Sequence, residues 1–216
     1  MTTKLRTYIA TVAVAGLGLL STGAAPQAPS RAAASSPAPG EGLAPQDREM
    51  MALANDFASR CAEVLERWLA KQETSPEKLF SFLYYPVPKT DPPKFTTDWD
   101  RLSDRDILAI EEAVLTRSPT IAFAVLVDRN GYLPTHNQRY SQPLTGNSAV
   151  DLVNNRTKRI FNDRTGFAAA TSATAYLVQR YQRDTGETMV DLSVPVFVRG
   201  QHWGAVRIGY RSVDSR

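Results

Sequence analysis

The sequence predicts an α+β fold in which a long amino-terminal helix packs on an antiparallel sheet of about five strands. Three observations predict it. Apolar residues recur at spacings of three and four over residues 46–69, the period of an amphipathic helix. Strict alternation sets in over residues 190–198, the period of a strand with one buried face. Helical patterns come first and strand patterns last, whereas an α/β fold would interleave them.

The chain has 216 residues, 43% hydrophobic and 22% charged, within the range of a globular protein. Its amino terminus has the make-up of an export signal. Lys4 and Arg6 precede the apolar run "YIATVAVAGLGLL", and "STGAA" supplies small residues for cleavage near Ala25. An uncleaved anchor over residues 8–25 is the alternative. With that segment go two basic residues and no acids, so the formal charge falls from +3 to +1. A balance so close to neutral argues against a nucleic-acid partner. Residues 26–45, rich in Pro, Ala, Ser and Gly, read as a flexible linker. Residues 46–216 are then one domain, large enough for a core of its own.

Met50, Leu53, Phe57, Cys61, Val64, Leu65, Trp68 and Leu69 form the stripe of the first helix, about seven turns long. Cys61 lies on it as a small hydrophobe, and a lone cysteine provides no disulfide framework. Four prolines between Pro86 and Pro93 make the next stretch an extended loop. Ser103, followed at three residues by Asp106, predicts the capped start of a second helix ending before Pro119. Residues 121–127, "IAFAVLV", are apolar on both faces, as a central strand would be, and Asn130-Gly131 is a turn signal. A short helix is expected over residues 150–161, with Val150, Val153, Ile160 and Phe161 inward. The last fifty residues read as an antiparallel series, with a turn at "TGE" over residues 185–187. Pro195 belongs at an edge or a bulge, because it cannot donate to a ladder.

The motifs exclude several chemistries. There is no G-x-S-x-G, no phosphate-binding glycine loop and no C-x-x-C-H. The two histidines, His136 and His202, lack metal-ligand spacing, so no metal and no cofactor are expected. Nothing in the motifs supports an enzyme.

Three segments carry a resemblance: "DRNGYLPTHNQRYSQPLTG" from Asp128, "NRTKRIFNDRTGFAAA" from Asn155 and "YQRDTGETMVDLSVPVFVRGQHWGAVRIGY" from Tyr181. In this order they resemble the extracytoplasmic single-Cache, PAS-like sensory domain of bacterial methyl-accepting chemotaxis receptors. The resemblance implies a long helix on a curved antiparallel sheet, with a small-molecule pocket between the sheet and its covering loops. Such receptors continue into a membrane helix and a cytoplasmic coiled coil, whereas this sequence ends six residues after Tyr210. The expectation is therefore a stand-alone periplasmic or secreted sensor-type domain, working through a separate membrane receptor or kinase. The alternative is an interaction module of the same fold without a ligand, forming a homodimer through residues 46–69.

A polar ligand needs a few converging hydrogen-bonding or charged groups on an apolar wall. The candidates are Tyr132, His136, Asn137, Tyr140 and Gln142 in the first segment. Arg156 and Arg159 follow, at helical i,i+3 spacing. Tyr176 comes next, then Trp203 and Arg207, expected on one face of the last strand. The arginines favour an anion, a carboxylate above all, because a guanidinium fork matches it bidentately.

Overall fold

Pro45 opens helix α1 (Pro45–Ala70) at a position where its missing N–H costs nothing. The stripe read from the sequence is the buried face, with Phe57, Cys61, Leu65 and Trp68 wholly enclosed. The computed structural model describes residues 42–182 and 188–213. The residues read as an export signal, most of those read as a linker and the turn expected at residues 185–187 lie outside the described residues. No helix among the described residues is long and apolar enough to cross a membrane.

After α1 come the short helix α2 (Pro76–Leu79) and a small hairpin of β1 (Tyr85–Val87) and β2 (Lys94–Thr96). Helices α3 (Asp100–Asp106) and α4 (Leu108–Leu115) follow. Here the structure differs from the expected cap at Ser103. The helix already begins at Asp100, so Ser103 lies inside α3 and is fully buried. Asp106 instead accepts the indole N–H of Trp68 at 2.6 Å and pairs with Arg105.

The principal sheet runs in the order β3 (Ile121–Asp128), β8 (Gln201–Arg211), β7 (Thr188–Val198) and β6 (Leu177–Gln182), each pair antiparallel. It has four strands among the described residues where about five are expected. Side chains cover the outer edge of β3 instead. The Leu126 N–H donates to Glu111, the Ala124 N–H donates to Asn137, and the Ala122 carbonyl accepts from the Tyr140 hydroxyl and Arg139. An edge occupied in this way is closed to a further strand. Pro195 sits in β7 beyond Ser193, where the pairing with β6 ends, so no ladder on that side needs its N–H.

The two faces of the sheet are differently packed. Val190, Leu192, Val194, Val196 and Val198 meet α1 together with Val206, Ile208 and Tyr210. Since α1 spends its apolar stripe on its own sheet, a dimer through this helix would have to use the polar side. The first turn of α1 is clamped to the end of β8: Tyr210 donates to Asp47 at 2.6 Å, and Gln46 bonds to Arg211 and Val213. Val125, Val127, Leu133, Ala170 and Ala205 make the smaller apolar cluster of the other face.

That second face is covered by the segment between β3 and β6. Gly131, at φ +80°, makes the turn into β4 (Tyr132–Leu133). Asp128 holds this turn by accepting the N–H groups of Asn130 and Tyr132. Helix α5 (Ser148–Asn154) is shorter than the helix expected over 150–161. It ends at Asn155, because β5 (Arg159–Ile160) pairs with β4. Val150 and Val153 are consequently exposed, not inward. Helix α6 (Arg164–Thr171), capped by the Asp163 carboxylate, then lies on β7 and β8.

Candidate functional site

A cavity of about 340 Å³ opens on the sheet face away from α1. Phe123 and Val125 of β3 and Arg207 of β8 form its floor. Leu133, His136, Arg156 and Phe161 come from the covering segment, Asp163 and Thr165 from the start of α6, and Tyr181 from β6. Phe123 can lie across the floor because its sheet partner is Gly209. A Cβ there would fall 2.1 Å from the ring.

The floor contains a buried ion pair. Arg207 donates through Nη2 to Asp191 at 2.5 Å and through Nε at 3.3 Å. Asp191 is fully buried and Arg207 is 8% exposed. Burial works against the guanidinium charge, but the Asp191 carboxylate outweighs it and holds the Arg207 pKa above its ordinary value. Arg207 also stacks on Phe123, 5.9 Å from the ring centre.

Across the cavity, Arg156 and Arg159 both stand 5.0 Å from the centre of the Phe161 ring. Their shared target is an aromatic side chain and not a helix face, since both lie beyond the end of α5. Burial and then the neighbouring Arg156 depress the pKa of Arg159. His136 is 3% exposed, between Phe123 at 6.3 Å and Tyr140 at 4.8 Å. Its pKa is pushed down to about 3, first by burial and then by Arg156, Arg139, Arg207 and Arg159. The ring is therefore neutral at pH 7, in a local field set by cations.

The structure thus brings His136, Arg156 and Arg207 together at one cavity. Asn137 is fully buried with its side-chain oxygen on the edge of β3, where Tyr140 also binds. Gln142 is exposed and bonds to Gln138. Arg159 shares Phe161 with Arg156 and donates to the Leu152 carbonyl. Tyr132, Tyr176 and Trp203 pack in or against the core on the α1 side. Tyr132 donates to the Phe95 carbonyl, and Trp203 donates to the Leu79 carbonyl and lies edge-on to Trp99.

Trp203 and Arg207 do not share a face, because a β-bulge separates them. The pairing passes from Phe197 with His202 to Val196 with Gly204, leaving Trp203 as the extra residue. One inserted residue reverses the alternation, which sends Trp203 to the α1 side and Arg207 to the cavity.

Sequence reasoning missed Phe123, Phe161, Asp163, Thr165 and Tyr181 on the walls, and Asp191 beneath them. Two signals were available. Asp163 stands two and three residues before the N–H groups it caps, and Asp191 is a charge inside an otherwise apolar strand.

Lys94 was missed as well, and it positions the cover. Its ammonium group, 5% exposed as a residue, donates to the Asn155 side chain at 2.5 Å and to the Thr157 carbonyl at 2.5 Å. Those two residues flank Arg156. Burial and then Arg159 lower the Lys94 pKa to about 8. Lys94→Met leaves these acceptors buried and unmatched, and it should cost about 2 kcal/mol in urea denaturation. Amide exchange at residues 155–158 should accelerate more than exchange in the sheet.

No family model and no curated protein matches the chain. Among solved structures it is similar to an extracellular ligand-binding receptor from Desulfohalobium retbaense DSM5692, at 15% identity and a TM-score of 0.36. That alignment covers 77% of this chain and 25% of the receptor. It is also similar to the ligand-binding domain of the Pseudomonas aeruginosa PAO1 amino-acid chemoreceptor PctC in complex with GABA, at 17% identity and a TM-score of 0.29. Here the coverage is 78% of this chain and 62% of that domain. The chain therefore spans less than two thirds of either structure. These likenesses are too loose to assign a function, which has to rest on the cavity's own residues.

Proposed function

We propose that this chain is a ligand-binding sensor-type domain whose ligand is a small anion, a carboxylate above all, held in the cavity on the sheet face opposite α1. The observation that carries this reading is the convergence of Arg156, Arg207 and His136 on a cavity that Phe123, Val125, Leu133 and Phe161 also line. Phe123, Val125, Leu133 and Phe161 supply a surface for the body of the ligand, and the guanidinium groups supply its charge partner. Binding suits this site better than catalysis. His136 is wedged between two rings, and Arg207 is already engaged by Asp191. The export-signal make-up of residues 1–25 supports a periplasmic or secreted domain, membrane-anchored if that segment is uncleaved. A separate receptor or kinase would read the bound state.

Thermal unfolding with a panel of carboxylates, amino acids and amines tests the reading. A carboxylate at about a hundred times its Kd adds about 2.7 kcal/mol to the folded state, a rise in Tm of several degrees. Amines should give no rise. Arg156→Ala should remove most of the response while leaving the unliganded Tm within a few degrees. Stabilisation by cations alone, or by nothing in the panel, would refute the reading.

A further inference from the structure

His136 is placed as a proton acceptor that the unliganded cavity keeps empty. Its imidazole lies between two aromatic rings, and each of those rings carries a guanidinium group: Arg207 over Phe123 at 5.9 Å and Arg139 over Tyr140 at 5.0 Å. Arg156 and Arg159 add two more cations from the Phe161 side. The carboxylates of the region have other work. Asp191 on β7 is engaged by Arg207, and Asp163 holds the first N–H groups of α6. Tyr181 reaches the same cavity from β6, and β3 brings the Phe123 ring to the imidazole. The Nδ1 atom of His136 is buried and has no hydrogen-bond partner among the described residues. A buried polar atom left in that condition gains from any partner that reaches it.

We propose that an anion enters this cavity together with a proton: His136 becomes imidazolium as the anion binds, so affinity rises as pH falls. The inference rests on the anion reading given above and extends it to the regulation of the same site. In the unliganded protein, burial and four arginines oppose the charged ring. An anion reverses the balance, because an opposite charge about 4–6 Å away favours imidazolium by about 1–3 pKa units. By linkage, a site that takes up a proton on binding must bind more tightly where protons are more abundant. A shift at the upper end of that range gives an affinity about tenfold higher at pH 5 than at pH 7.

Isothermal titration calorimetry of the full chain tests this with two probes, benzoate and benzenesulfonate; the sulfonate does not itself titrate in this range. At pH 5.5, repeating the titration in buffers of different ionisation enthalpy should show uptake of more than half a proton per anion bound. At pH 8 the uptake should vanish. His136→Gln should lose the uptake, and the anion affinity it retains should be the same at both pH values. Ring NMR of His136 in the wild-type protein makes the test independent of that variant: the ring should be neutral at pH 5.5 when free and largely protonated when saturated with benzenesulfonate. Anion binding without proton uptake, or a ring that stays neutral in the saturated protein, overturns the coupling and leaves the anion reading standing. Failure of both probes to bind at any pH overturns both.

Discussion

Asp191→Asn should destabilise the protein by about 3–5 kcal/mol, the usual consequence of stranding one partner of a buried ion pair. Asp191 is fully buried and is the carboxylate that Arg207 meets at 2.5 Å. With the carboxylate gone, Arg207 retains its charge on the cavity floor, where Arg156 also faces it. The double variant Asp191→Leu with Arg207→Met removes both charges and should recover most of the loss, because two well-packed apolar side chains avoid the desolvation penalty. Guanidinium denaturation of Asp191→Leu alone, Arg207→Met alone and the double variant gives the coupling energy directly. If the single variants lose less than about 1 kcal/mol, the pair is wet and the floor is not the buried surface described here. Stability and binding separate in the double variant. It should fold nearly as well as the wild-type protein and fail to respond to carboxylates.

The second large effect is acid sensitivity arising from His136. Its pKa is about 3 in the folded protein and about 6.5 in the unfolded chain. Between those values the unfolded state binds the proton and the folded state does not, so stability falls as pH falls. The contribution is fully present above pH 6.5 and is lost progressively toward pH 3. Between pH 7 and pH 4 it amounts to about 3 kcal/mol. His136→Gln should lack this component, so its urea midpoint should fall less steeply on acidification. Glu111 works in the opposite sense. Its carboxyl is fully buried, and burial first, then the like charges of Glu112 and Asp104, raise its pKa well above the ordinary value. Its share of stability is complete below the unfolded pKa and declines as pH climbs. Measuring the His136→Gln and Glu111→Gln proteins over the same pH series separates the two slopes.

These two sites differ in how far they could be read from the sequence. His136 stood out because the loop carrying it holds more side-chain polarity than a connection needs. The aromatic rings and guanidinium groups that define its chemistry come from β3, β8 and the segment around Arg156. Asp191 was legible only as a charge on the mixed face of a strand. Its partner is sixteen residues away, across the β7–β8 hairpin. Arg156 and Arg159 were singled out through a helical spacing that the fold does not use, yet both arrive at Phe161. Val150 and Val153 belong to the same misreading: both lie on α5, which stops at Asn154, and both are exposed.

The sequence by itself determined the periodic parts of this protein: the buried stripe of α1, the alternating core face of β7 and the turn at Asn130-Gly131. Each of these depends on residues a few positions apart, where the 3.6-residue or two-residue period decides which side meets water. Only the tertiary structure decided which side chains share the cavity. A single bulged residue sends Trp203 to one face and Arg207 to the other. The pairing of Arg159 and Ile160 with β4 ends a helix, and the Lys94 ammonium ties the Arg156 segment to a distant hairpin. Register and long-range pairing are set by contacts between segments far apart in the chain, and local periodicity carries no record of them.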